Sequence, residues 1–416
     1  MRVNVSVSSL AKSADADAIT QHRIYRALFL LAAAAFAAQS MVRVTDSLLP
    51  QIAADLSVSV GAASIVVTAY VLSHGSVQLI IGPVGDRFGK YLCIALASAA
   101  GTLLTFACGL AQSLPALVAA RLACGLAAGW IIPLSLAFIG DVIPYDRRQQ
   151  VLGTFLSGQI IGQLFGQSAG GILGDWLGWR RVFFFLAALF ALATIALIVE
   201  LIRNPVTWRS NAPKTEAIGI VAGYKAVLRD PWACFVILMA FVESALMFGS
   251  FAYVGADLYL RFGLNFTVVG LCVGAFAIGG LIYSLSVRVL MRRLGQMRIA
   301  VGGGITLMLA YVTLALEPVW WLTPLSTMGI GFGFYMFHNT LQTFATQMTP
   351  QARGTAVALF SASLYLGQTA GVATLALVFD RYGGVPIFLT VGILLLAQTL
   401  WFVTVASRRK AKATAS

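Results

Sequence analysis

Stretches of about twenty mostly apolar residues recur along the chain, separated by short polar loops. A helix rises about 1.5 Å per residue, so a stretch of that length crosses a hydrocarbon layer about 30 Å thick. Twelve such stretches can be placed, over residues 27–49, 60–81, 91–112, 115–138, 150–173, 181–202, 232–256, 267–287, 298–316, 319–343, 354–379 and 384–407. The strands of about ten alternating residues that build a membrane β-barrel are absent. The pattern predicts an all-α integral membrane protein with twelve transmembrane helices.

The one long loop, 203–231, divides the spans six and six. Sliding one half over the other by 205 residues brings Arg148 onto Arg353 and the glycine-flanked segment 162–166 onto 367–371. One residue further, Arg87-Phe88-Gly89 meets Arg293-Leu294-Gly295. Both matches run in the same chain direction, so the expected architecture is two pseudo-symmetric six-helix bundles. The expected divisions are a cytoplasmic tail at 1–26, a bundle at 27–202, a cytoplasmic loop at 203–231, a second bundle at 232–407 and a basic tail at 408–416. Parallel repeats of this kind build transporters whose binding site lies between the halves.

Composition makes lipid the expected solvent: 59% of the residues are apolar, 10% are charged and the mean hydropathy is +0.87. The 28 Lys and Arg against 15 Asp and Glu give +13, in short loop clusters rather than one patch. That points to a membrane surface and away from nucleic acid. With both termini cytoplasmic, 22 basic residues fall on the inner side and five on the outer, although the pair Arg180-Arg181 runs against this bias. The bilayer itself is therefore an expected partner. Five cysteines with no C-x-x-C spacing read as packing residues, and no cofactor or metal is expected. Arg23 and Arg26 before Ala35-Phe36-Ala37 imitate a secretion signal, but many more spans follow. The absence of a Walker-type phosphate loop excludes ATP-driven pumping by this chain alone, and no catalytic constellation argues for an enzyme.

The sharpest motif is GPVGDRFGK, residues 82–90. Gly82 and Gly85 permit close helix approach, Asp86 offers a carboxylate to a helix amino terminus, and Arg87 and Lys90, flanking Gly89, anchor the turn at the headgroups. The string closely resembles the G-x-x-x-D-R-x-G-R/K signature between spans two and three of the major facilitator superfamily. The resemblance extends over nearly the whole chain and implies the major facilitator fold, with this loop closing the cytoplasmic side against a partner segment near Arg353 and Gly354. The chain looks most like the twelve-span drug/proton antiporter branch, a resemblance that implies a bacterial inner membrane as the setting, a small-molecule substrate and protons as partners, and a chain acting as a monomer. Residues 117–125, LVAARLACG, are similar to the arginine motif of that branch's fourth span, where the arginine is associated with proton coupling; Cys124 stands where glutamine is usual. Residues 43–50, RVTDSLLP, resemble its acidic residue followed four later by proline. Residue counting puts Asp46 and Arg121 both in the outer third, with Arg43 on the same helical face as Asp46. Proton uptake by Asp46, tuned by Arg43 and Arg121, is therefore expected. In the fifth span Gly162, Gly166, Gly170 and Gly171 keep the spacing of the antiporter motif G-x-x-x-G-P-x-x-G-G, but Gln167 replaces its proline, which weakens the export assignment specifically.

Glu243 lies close to the expected midplane, as a second proton site or a selector of cationic substrates. Polar side chains recur at helical spacing: Tyr70, His74 and Gln78; Gln159, Gln163 and Gln167; Tyr335, His338, Asn339 and Gln342; Tyr365 and Gln368. With Gln39 and Trp130 they are expected to line a substrate cavity, although helix-to-helix hydrogen bonding satisfies the same pattern. The expected function is proton-driven efflux of small amphipathic compounds. Symport, export or facilitated passage of a sugar, amino acid or organic acid stays open, as does a non-transporting receptor or assembly factor on the same fold.

Overall fold

A computed structural model describes residues 7–208, 220–349 and 352–415, and these form helices and turns without a strand. In chain order the α-helices are α1 (Val7–Arg43), α2 (Thr45–Asp55), α3 (Val60–Ala63), α4 (Ile65–Val77), α5 (Ile81–Phe88), α6 (Lys90–Leu110), α7 (Leu114–Ala128), α8 (Ile131–Val142), α9 (Tyr145–Leu177) and α10 (Trp179–Arg203). They continue as α11 (Ile220–Arg229), α12 (Pro231–Phe251), α13 (Val254–Phe262), α14 (Phe266–Leu294), α15 (Gln296–Leu316), α16 (Thr323–Ala345), α17 (Arg353–Tyr382) and α18 (Val385–Ala415). Ten helical segments among the described residues are long and apolar enough to cross a membrane. The long helices α9 and α16 fall outside that set because they carry the glutamines 159, 163 and 167 and the polar run around Asn339 and Gln342.

Polarity is inverted relative to a water-soluble domain. Leu103, Leu285 and Leu377 are 72%, 85% and 79% exposed, whereas the largest fully buried side chain is Arg121. Such a surface suits hydrocarbon, and polar atoms inside it must find protein partners. Glycines bring the helices together. A side chain at Gly162 would meet the Phe36 carbonyl at 2.6 Å, Gly170 faces the Val44 carbonyl at 2.8 Å, and Gly166 lies against Ser40. These three fix α9 on α1 and the turn that follows it, and Ser40 Oγ donates to the Gly162 carbonyl at 3.0 Å. Gly171, one position round the helix, packs instead against Phe266 and Gly270 of α14.

The sequence repeat extends to the backbone. Gly89 and Gly295, 206 residues apart, turn α5 into α6 and α14 into α15 with φ of 94° and 75°. Gly178 and Gly383, 205 apart, do the same between α9 and α10 and between α17 and α18, with φ of 80° and 72°. Only glycine adopts this left-handed backbone without strain. The same offset relates Asp175 to Asp380 near the ends of α9 and α17. Asp175 accepts from the amides of Phe266 (3.0 Å) and Thr267 (2.6 Å) at the start of α14. Asp380 accepts from Gly61 N (2.7 Å) and Ser59 Oγ (2.5 Å) at the start of α3. With Tyr253 Oη donating to Ser64 Oγ at 2.9 Å across the two halves, these contacts close the end of the molecule away from the chain termini. Arg180, against the charge bias, sits at this far end paired with Asp55.

A second charged cluster holds the far end of the C-terminal helices. Arg261 lies 3.3 Å from Asp257 and 3.2 Å from Glu317, and Thr323 Oγ1 donates to Glu317 at 2.5 Å. Burial pushes the Glu317 carboxyl up to about 7 from an ordinary 4.5, against the opposing pull of Thr323 and Arg261. A carboxyl raised in the folded state is cost-free below its unfolded value, and stability is lost as pH rises from there through the folded value. The wild-type melting temperature is expected to fall by about a few degrees from this group as pH rises from 4.5 to about 7. Glu317→Gln is expected to remove that component, and parallel melting curves for the two proteins would contradict it.

Candidate functional site

A central cavity of about 610 Å³ runs from mid-depth to the termini end of the molecule. α1 contributes Gln39 and Arg43, Gln78 follows α4, and α9 contributes Gln163. From the other side come Ser244 and Phe248 of α12, Phe334, Tyr335 and His338 of α16, and Tyr365 and Gln368 of α17. Lys90 and Gly354 line its termini end, while the carboxylate contacts described above close the opposite end. The volume suits a small organic molecule.

Arg43 links this cavity to a buried acid. Its guanidinium stacks over Phe248 at 4.1 Å and its Nη1 lies 3.6 Å from Asp46 Oδ2. Asp46 is 1% exposed, in α2 just beyond the helix break that follows Arg43, and does not itself line the cavity. The Gln167 amide adjoins the Asp46 carboxyl, so the residue in the place of the motif proline is part of this acid's surroundings. Arg121 makes no ion pair among the described residues. Its Nη1 donates to the Met41 carbonyl at 3.1 Å, its Nε to the Val66 carbonyl at 3.3 Å, and its charge rests 4.1 Å over the Tyr70 ring. It therefore ties α7 to α1 and α4 and adds positive potential near Asp46.

On the opposite wall, Glu243 is fully buried and its Oε2 lies 2.9 Å from His338 Nδ1. Phe334 stacks on the imidazole at 4.8 Å, leaving His338 as the part of this pair that lines the cavity. At the termini end, Lys90 pairs with Asp141 at 2.7 Å, fixing α6 to α8, while Gly85 packs on Leu134 and Arg87 lies over Phe88. Gly82 and the side chains of Asp86 and Arg353 lie outside the described residues.

Several expected lining residues sit elsewhere. Tyr70 is buried under Arg121, and His74 is buried between the rings of Tyr70 (5.7 Å) and Tyr365 (4.6 Å). Trp130 marks the break between α7 and α8, and Gln159 is outside the cavity lining. Asn339 and Gln342 line a separate cleft of about 460 Å³ with Tyr283 and Gln296. Phe248 and Phe334 line the cavity without having stood out in the sequence, because an aromatic residue inside an apolar span carries no signal of which way it faces.

The family profile of the Major Facilitator Superfamily matches residues 28–372. The chain is 25% identical over 375 residues to the MFS-type transporter YceJ of Bacillus subtilis, covering 88% of this chain and 93% of that one. It is 26% identical to a chloramphenicol resistance protein of Streptomyces lividans over 61% of this chain and 63% of that one. The fold is also that of the peptide transporter POT crystallised in complex with sulfate, with a TM-score of 0.73 and 16% identity over 92% of this chain and 94% of that one. An integral membrane chain of helices around a central cavity, matched by this profile along most of its length, belongs to the major facilitator superfamily and is a transporter rather than an enzyme.

Proposed function

We propose that the protein is a proton-coupled exporter of small amphipathic compounds, working by alternating access as a monomer in a bacterial inner membrane. The polar helices α9 and α16 complete twelve spans in two six-helix halves, at 27–202 and 232–407, with both termini cytoplasmic. In that orientation the cavity is open to the cytoplasm and closed toward the outside. The observation that carries the reading is Arg43, which lines an aromatic-walled cavity and is held at 3.6 Å by the buried Asp46. While Asp46 is ionised, the pair is neutral and the cavity accepts a cationic or dipolar guest. A proton on Asp46 leaves Arg43 uncompensated beside the guest and drives a cation out. Substrate and proton then exclude one another through a single side chain, which is the requirement for exchange.

The sequence relatives that include a chloramphenicol resistance protein support export. Four glutamines on the cavity wall, residues 39, 78, 163 and 368, favour a second reading, proton symport of a polar metabolite. Dye accumulation in cells separates the two. Expression is expected to lower the steady-state level of an amphipathic cationic dye, and an uncoupler is expected to restore it. Uncoupler-insensitive efflux, or uptake of sugars or amino acids without effect on dye, would overturn the exporter reading.

Glu243 and His338 form a second ionisable unit, with His338 passing protons between the cavity and a carboxylate that the substrate does not touch. Glu243→Gln keeps a hydrogen bond to Nδ1 and is expected to preserve the fold while removing one titrating step from the pH profile of transport. An unchanged profile with unchanged cation transport would make the pair structural.

A further inference from the structure

We infer that the groove between the termini ends of α12 and α18 is a binding site for an anionic phospholipid. The groove has a volume of about 550 Å³ and is lined by Pro231, Trp232, Phe235, Val405, Arg408 and Arg409. Its floor is a rigid aromatic layer. Phe235 stacks on Phe402 at 6.1 Å and meets Trp401 edge-on at 5.4 Å, and Trp232 packs against Phe344 at 5.5 Å. Aromatic residues of this kind sit where acyl chains give way to headgroups.

The charge is placed at one end of the groove. Arg408 and Arg409 are exposed, and neither has a carboxylate partner among the described residues. Arg409 is held 4.7 Å over the Trp232 ring, so its guanidinium is fixed above the groove rather than free in solution. Asp230, the residue before α12, is engaged in capping that helix through the Trp232 amide at 2.9 Å. Two guanidiniums over an apolar slot match a phosphodiester with its acyl chain lying along Phe235 and Val405. A zwitterionic headgroup brings its own cation to the same place and is disfavoured. The occupant is therefore a lipid of the leaflet on the termini side, and the site is separate from the central cavity, so it stands whatever the substrate proves to be.

Native mass spectrometry of the full-length protein released from detergent tests this, with phosphatidylglycerol, phosphatidylcholine and inorganic phosphate as the added probes. Wild type is expected to retain phosphatidylglycerol about 30-fold better than phosphatidylcholine, the preference that two arginines near a headgroup supply. Arg408→Gln with Arg409→Gln is expected to remove most of that preference. Val405→Trp, which fills the slot and leaves the charges, is expected to remove it as well. The charge-matched pair Arg203→Gln with Arg298→Gln, exposed elsewhere on the termini side, is expected to keep it. Equal retention of the two lipids by wild type, equal loss in the control pair, or displacement of phosphatidylglycerol by inorganic phosphate at matched concentration would each overturn the site.

Discussion

Replacing Asp46 with Asn is expected to abolish proton-driven accumulation and to weaken cation binding at every pH, so that downhill exchange persists only at raised substrate concentration. Asn is nearly the size of Asp and carries the permanently neutral state that protonation gives, so the packing of α2 against α13 and α9 has no reason to change. What changes is Arg43, which loses its counter-ion at 3.6 Å and stays positive beside the cavity in every state. One proton exchanged for a monovalent cation moves no net charge, so the work comes from the pH gradient: about 1.7 pH units supply about 2.3 kcal/mol, enough for about a fiftyfold concentration ratio, and the variant is expected to let that ratio collapse to one. Counterflow of labelled substrate and gradient-driven transport measured on the same vesicles check this. Absence of exchange at any substrate concentration would indicate a folding defect, and retention of both activities at wild-type substrate affinity would remove Asp46 from the coupling mechanism.

Removing the two far-end carboxylates together, Asp175→Ala with Asp380→Ala, is expected to shift the conformational equilibrium toward opening at that end. Each carboxylate accepts two hydrogen bonds across the closure, and each reaches the start of a helix that the other half of the chain supplies. Both acids are exposed, so solvent screening limits each to about 1 kcal/mol. Two such losses act in the same direction on one closure and correspond to about a 30-fold change in the closed-to-open ratio. Spin-label distances between the turn before α3 and the turn after α17 are expected to lengthen, most in the double variant and about half as much in free energy in each single one. Unchanged distance distributions would show that the glycine contacts at Gly171 and Gly270 hold this end without help.

The helical spans and the repeat were legible because lipid imposes a strong length and polarity requirement on every segment. The repeat even fixes the backbone turns at Gly89 and Gly295 and at Gly178 and Gly383, where positive φ leaves glycine as the residue that fits. The orientation of side chains was less legible. A period of 3.6 says that His338 and Gln342 share a helix face, but the neighbour that covers each turn comes from other helices, which is why His338 lines the central cavity and Gln342 a separate cleft. Arg121 was recognisable as costly in a membrane, yet its partners are the Met41 and Val66 carbonyls and the Tyr70 ring, none of which charge patterning can reveal. Nothing in the sequence marks Asp175 and Asp380 as special; the same 205-residue offset that exposed the repeat relates them, and only the folded chain shows what they cap.

Substrate-triggered proton movement in proteoliposomes, read by a trapped pH dye with Asp46→Asn as control, tests proton-coupled export most directly. The expected result is proton flux opposite in direction to an amphipathic cationic substrate in wild type and none in the variant. Flux in the same direction as the substrate, or substrate movement with no proton flux at all, would contradict it.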